Sequence, residues 1–230
     1  MICAIMQPTY LPWAGYFNLI SQSDVFVFLD DAQFQKNSWH NRNRILVNHL
    51  PHWITLPVRH AALCQTIRQT ELDDSKNWRR KHIKLLQHTY CKHPFLNEIL
   101  DVCNILEQEN FDNLAELNIK IIIWFLKKLE INTKVCLSSQ MDLEGKRVTR
   151  IIRILQQLKA DTYLSPNGAT EYLNEDRFVD QTAIHLTFQE FKPYPYTQYR
   201  HDSFESHLSL VDVVANIGWD ATKQYIERFS

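Results

Sequence analysis

Glycine is scarce: four residues in 230 leave little room for flexible hinges, and no Gly/Ser tract, low-complexity run or internal repeat divides the chain. One compact domain over residues 1–230 is therefore expected. Net charge is close to absent at −1, so the chain has no global basic field of the kind that attracts nucleic acid. Long apolar runs are missing too. The longest, Ile121–Leu126, is flanked by lysines and falls far short of the roughly 20 residues that span a bilayer, so it reads as a buried helix segment. The first residues carry neither a basic leader nor a long apolar stretch, which points to a cytoplasmic protein without a membrane span. Cys3, Cys64, Cys91, Cys103 and Cys136 form no CxxC pair, and their odd number argues for reduced, mostly buried thiols. The histidines show no HExxH or paired Cys/His spacing, so no metal site is expected. GxSxG, Walker and GxGxxG fingerprints are also absent, which leaves serine-hydrolase, P-loop and dinucleotide-binding readings without motif support, and no DxD triplet favours a glycosyltransferase.

What is present is apolar material for a large core, 45% of the chain, arranged in alternating short and long segments. Ile2–Met6 and Asp24–Leu29 have the length and β-branched or aromatic content of buried strands, and residues 15–22 between them show helical spacing. Asn43–Val47 and His52–Val58 flank a turn and suggest a hairpin or a third strand. Helices are expected near 75–90, 94–107 and 113–129, making a helical segment over 75–130. Thr133–Ser138 returns to strand, Arg147–Leu158 is a periodic helix, Asp161–Leu164 a short strand, and a closing helix starts near Leu208. Strands separated by helices predict an α/β fold: a mostly parallel, doubly wound sheet with helices on both faces. Ligands in such sheets bind beyond the carboxyl ends of the strands.

Several stretches fall at those ends. QPTYLPWAGY, from Gln7 to Tyr16, follows the first strand; its prolines stiffen the loop, and Gly15 lets backbone approach a ligand while the next helix aims its amides at an anion. Gln7, Tyr10, Trp13, Gly15 and Tyr16 are accordingly pocket candidates, the plainer alternative being that the aromatics cap the core. After the second strand comes LDDAQFQKNSWHNRNR, where Asp30 and Asp31 are candidates to orient an amine or take a proton, and successive strand positions allow only one of them inside a cleft. In the same stretch Lys36, Arg42 and Arg44, with Asn41 and Asn43, offer donors to anions, and Trp39 is a large aromatic that a wholly solvated loop seldom carries. Lys146 opens a later helix as a phosphate candidate, while Arg150 and Arg153 on that helix read as solvated. Ser165, Asn167 and Gly168 make a turn at the end of a late strand, and Tyr196 with Gln198 lies in a rigid aromatic-proline segment suited to a sugar or base ring. Ser209 and Asp212 read as helix start.

Taken together, QPTYLPWAGYF, DVFVFLDDAQFQKNSWHNRNRI, WITLPV, TYLSPNGATEYL, YPYTQ and LSLVDVVANIG resemble the WbqC-like family of bacterial proteins over nearly the whole chain. The family is associated with surface-polysaccharide genes. The resemblance therefore implies an enzyme that attaches an acyl or aminoacyl group to the amine of a nucleotide-linked amino sugar, with a small acid or amino acid as the other substrate; the alternatives are a non-catalytic sugar-nucleotide binder or a glycosyltransferase. One departure is the Ser165-Pro166-Asn167-Gly168 turn, longer than the Ser-Gly turn expected there. The chain is also similar, at the level of fold, to nucleotidyltransferase-like and pantothenate-synthetase-like α/β enzymes of Rossmann-like topology, in which a second strand ends in a polar segment like Gln33-Phe34. Such enzymes form adenylates, so this similarity implies ATP as a cosubstrate. A homo-oligomer is a further expectation.

Overall fold

The computed structural model describes residues 1–59, 64–108 and 110–228. Its apolar runs Ile2–Met6 (β1) and Val25–Phe28 (β2) lie side by side in parallel, joined by helix α1 (Ala14–Ser21). A third parallel strand, β5 (Lys134–Leu137), extends the sheet beyond β2. The chain then returns to the other side of β1 with β6 (Thr162–Ser165) and ends the sheet with β7 (His185–Phe188). The order is β5-β2-β1-β6-β7, all parallel. Strand β7 had no expected counterpart. Its sequence, HLTF, is short and alternates like an edge strand, which leaves little apolar signal to read.

Residue alternation along the strands feeds two separate cores. Ala4, Phe26, Phe28 and Leu164 face one side, where α1, α2 (Trp78–Tyr90), α3 (Leu96–Gln108), α4 (Leu114–Lys128) and α8 (Leu210–Glu227) pack. Cys3, Ile5, Val25, Val27 and Tyr163 face the other, covered by α5 (Arg147–Leu158), α6 (Thr170–Glu175) and α7 (Phe178–Gln181). Strands buried on both faces need near-continuous apolar sequence, which is what VFVF supplies. The expected α/β sheet with helices on both faces is thus the fold of the protein.

The hairpin of β3 (Arg42–Val47) and β4 (Leu50–Thr55) stands apart from the main sheet. Its connection is tighter than the gap between the two expected segments, residues 48–51: Asn48 and His49 alone make it, both at positive φ as a two-residue turn of this hand requires, and Leu50 and Pro51 already belong to β4. Helix α8 breaks at Gly218, whose φ of 74° lies in the left-handed region. The Phe95 ring occupies the space a Cβ would need there, and Glu98 accepts the Trp219 amide at 2.7 Å to restart the helix. Of the thiols, Cys3 and Cys103 are buried, Cys136 is half-buried, and Cys64 and Cys91 are exposed, so fewer are buried than expected. Among the described residues, no helix is long and apolar enough to cross a membrane.

Candidate functional site

Strand order reverses between β1 and β6, since β2 and β5 follow β1 to one side and β7 follows β6 to the other. At such a switch point the loops leaving adjacent strands diverge and open a crevice. A cleft of about 480 Å³ lies there, lined by Gln7 and Thr9 after β1, by Asn167 and Gly168 after β6, and by Gln189 just after β7. Trp13, Tyr16, Trp39, Tyr172 and Phe191 supply aromatic wall.

The stretch from Gln7 to Trp13 is held by donors from far along the chain. Tyr16 Oη donates to the Gln7 carbonyl at 3.0 Å, and Asn118 Nδ2, from α4, donates to Pro8 at 3.1 Å. Asn43 Nδ2, from β3, serves the carbonyls of Tyr10 and Leu11 at 3.1 and 2.8 Å, and the Leu210 amide at the start of α8 serves Pro12 at 2.8 Å. This explains how buried Leu11 persists at a φ of 44°, a conformation that an unbranched loop would shed. Gly15 answers to packing: a Cβ there would overlap the Trp13 indole, which folds back over the first turn of α1. Prolines and glycine therefore fix one shape for this loop, and the buried asparagines lock it.

Gln189 contributes from the opposite wall. Its Nε2 donates to the Gly15 carbonyl and to Asn18 Oδ1, both at 2.7 Å, while Asn167 Nδ2 donates to the Gln189 carbonyl at 2.7 Å. The Gly15 carbonyl can only accept, so the atom facing it is the amide nitrogen, and both of its hydrogens are used. What the side chain has left for the cleft is an acceptor oxygen, suited to a hydroxyl or amine of a ligand. The Gln7 carboxamide makes no hydrogen bond to the described residues.

Charge is placed differently from the expectation. None of the described residues lining the cleft is Asp, Glu, Lys or Arg. Asp30 is buried and accepts from Ser138 Oγ at 3.1 Å, from the Ser139 amide at 3.0 Å and from Ser139 Oγ at 2.6 Å. Asp31 pairs with Arg150 and accepts from Ser138 Oγ. The two aspartates thus fasten the end of β2 to the turn after β5 and to α5, and neither lines the cleft. Arg150, read from sequence as solvated, is buried because its guanidinium spans Asp31 and the Ser138 carbonyl.

The remaining sequence candidates are spread over several places. Gln7, Trp13, Gly15, Tyr16, Trp39, Asn167 and Gly168 line the cleft. Arg42 does not line it: its guanidinium lies 4.1 Å over the Trp53 ring, which is itself 5.3 Å from the cleft-lining Trp39; Lys36 and Gln33 are exposed on the preceding loop. Tyr10, Asn41, Ser165 and Gln198 are buried framework: Tyr10 Oη meets His82 Nδ1 at 2.9 Å, Asn41 Nδ2 donates to Leu56, Ser165 Oγ donates to the Pro166 carbonyl, and Gln198 spans Tyr196 and Glu205. Tyr196 donates to the buried Asp212 at 2.8 Å, and Lys146 lies exposed before α5. Asp212 and Ser209 belong to the start of α8, with Ser209 Oγ accepting the Val211 amide.

Asn43, read from sequence as an anion donor, lines the cleft but spends its amide on the Tyr10 and Leu11 carbonyls; sequence reading missed Thr9, Tyr172, Gln189, Phe191 and His207. A signal existed for the polar framework, because Asn18 and Asn118 interrupt otherwise apolar helix faces, and a buried amide demands partners.

Fold and cleft define the class: a doubly wound α/β protein with an aromatic-walled cleft at its switch point whose described lining carries no Asp, Glu, Lys or Arg. Within that class, the WbqC-like protein family matches residues 7–224, and the chain belongs to that family. It is also similar to Rv1507c of Mycobacterium tuberculosis, an uncharacterized protein 33% identical over 220 residues that cover 95% of this chain and 94% of the relative. No solved structure matches the chain.

Proposed function

We propose that the protein is an enzyme of surface-polysaccharide (O-antigen or capsule) biosynthesis that transfers an acyl or aminoacyl group to the amine of a nucleotide-linked amino sugar. The observation that carries the reading is the cleft itself. Aromatic faces suit a sugar ring, and the acceptor oxygen of Gln189 with the unpaired amide of Gln7 suits hydroxyl and amine groups. The candidate cations do not line it: Arg42 lies over Trp53, the ring neighbour of cleft-lining Trp39, and Lys36 is exposed on the loop before Trp39, so the phosphates would lie on that side of the cleft while the sugar enters. An adenylate-forming step would draw on ATP, whose phosphates would meet the same side.

Incubation with ATP, a panel of small acids and UDP-amino sugars, followed by mass spectrometry, tests the reading. AMP or a mass-shifted sugar is the expected product, and recovery of unchanged nucleotides overturns it. The lack of ionised side chains among the described lining residues favours a second reading, a non-catalytic sugar-nucleotide-binding accessory protein. That protein would bind the sugars in the same experiment and change none.

A further inference from the structure

The described lining of the cleft contains three titratable side chains: Tyr16, Tyr172 and His207. Burial holds both tyrosines above their ordinary value, so neither exchanges a proton near neutrality. His207 lies on the segment before α8, and that segment is pinned: Arg44 donates to the Ser206 carbonyl at 3.1 Å, and the Ser209 amide donates back to the Arg44 carbonyl at 2.8 Å. Its imidazole packs on Trp13 with ring centres 4.8 Å apart, and its Nδ1 meets Ser206 Oγ at 2.8 Å. This leaves Nε2 as the ring nitrogen with no partner among the described residues. The charged groups acting on it are Arg44 from β3 and Glu205 from its own segment, which are themselves 3.4 Å apart as an ion pair.

We propose that His207 receives the amine of a nucleotide-linked amino sugar and accepts its proton during transfer; this rests on the function proposed above. Partial burial first, then Arg44, holds the imidazole below its ordinary value against the smaller opposing pull of Glu205, so the ring is neutral at pH 7 and its nitrogen lone pair is free. In the step itself the bound ammonium first loses one proton to solvent, and the resulting free-base amine nitrogen forms a bond to the carbonyl carbon of an acyl adenylate. The bond from that carbon to the phosphate oxygen breaks, AMP leaves with the electron pair, and the surplus N–H proton passes to Nε2 and on to solvent.

Binding of UDP-glucosamine and UDP-N-acetylglucosamine, measured by calorimetry between about pH 5.5 and 7.5, tests this without a turnover assay. With wild type, affinity for the ammonium sugar should fall up to about tenfold per pH unit once the ring is protonated, because imidazolium repels ammonium; the acetylated sugar should show no such loss. His207→Ala should bind UDP-glucosamine roughly tenfold more weakly and leave UDP-N-acetylglucosamine unchanged. His207→Gln, which keeps an acceptor and cannot titrate, should restore affinity and abolish the pH dependence. The same pH dependence in His207→Gln as in wild type overturns the role of His207 alone, and so does equal binding of both sugars by wild type at every pH. Failure of wild type to bind either nucleotide overturns this proposal together with the function it rests on, whereas binding with the expected pH dependence but no product in mass spectrometry upholds recognition of the amine by His207 and sinks only the transfer.

Discussion

Asp212 is a fully buried carboxyl with no cation beside it among the described residues: Tyr90, Tyr196 and Asn216 are its side-chain donors, at 3.1, 2.8 and 3.2 Å. Burial pushes its pKa from 3.8 up to about 6, against the lowering effect of these hydrogen bonds. A folded-state value raised above the unfolded one favours the protonated form in the fold. The resulting stability is fully present below about pH 3.8 and is lost as pH rises through about 6. At about 1.4 kcal/mol per pH unit, the gap of about 2 units makes the carboxyl cost about 3 kcal/mol at pH 8, against about 0.5 kcal/mol at pH 4. Asp212→Asn removes that titration. Urea unfolding of wild type and variant, followed by circular dichroism from pH 4 to 8, should show the variant gaining about 2.5 kcal/mol on wild type across the range. The amide keeps one acceptor oxygen in place of two, and the donor contacts it loses, from Tyr90 on one side or from Tyr196 and Asn216 on the other, add an offset that does not change with pH, so the slope is the quantity to read. His40 and His82, pushed down to about 4 by burial, contribute stability that is present above 6.5 and lost as pH falls through about 4. They are the same in both proteins and cancel in the difference. Parallel stability curves for the two proteins would refute the argument, since they would mean that the buried carboxyl ionises as it does in water.

Three further outcomes follow from packing. Gly218→Ala must hold a side chain at a φ of 74° against the Phe95 ring, and should lower unfolding free energy by about 2–3 kcal/mol in urea melts. Arg150→Ala strands Asp31 at the end of β2 and should cost about 2–4 kcal/mol by the same measurement, with Arg150→Lys recovering only part because a single ammonium cannot reproduce the guanidinium's reach to both Asp31 and the Ser138 carbonyl. At Gly168 a Cβ would meet nothing within 4 Å, so Gly168→Ala should leave urea stability unchanged or raise it by about 0.5 kcal/mol, while calorimetry shows weaker UDP-glucosamine binding because the added methyl intrudes on the cleft.

Those parts of the fold with strong local patterns were legible in the chain. VFVF could only be a doubly buried strand, and the apolar spacing of residues 147–158 marked α5 to the residue. The loop from Gln7 to Tyr16 was recognisable by its prolines, glycine and aromatics, and it does form a cleft wall. Gln189 and His207 were not recognisable. Each is an isolated polar residue whose meaning comes from a neighbour more than 150 positions away, Gly15 for one and Arg44 for the other. Asp30 and Asp31 drew attention because adjacent carboxylates at a strand end look reactive; what absorbs them is Ser138, Ser139 and Arg150, partners the local sequence does not display. The same holds for Arg150, whose burial depends on where β5 ends.

The cleft borrows its walls from both extremities of the polypeptide: Gln7 and Trp13 near the start, Gln189 and His207 near the finish. No fragment that stops short of the last strand encloses it. An occupant must therefore be gripped by the finished tertiary structure alone, and at a hundredfold excess over its dissociation constant would add about 2.7 kcal/mol to the stability of the entire molecule. Melting temperature, recorded across a library of phosphorylated sugars, thus becomes a direct route to the physiological occupant.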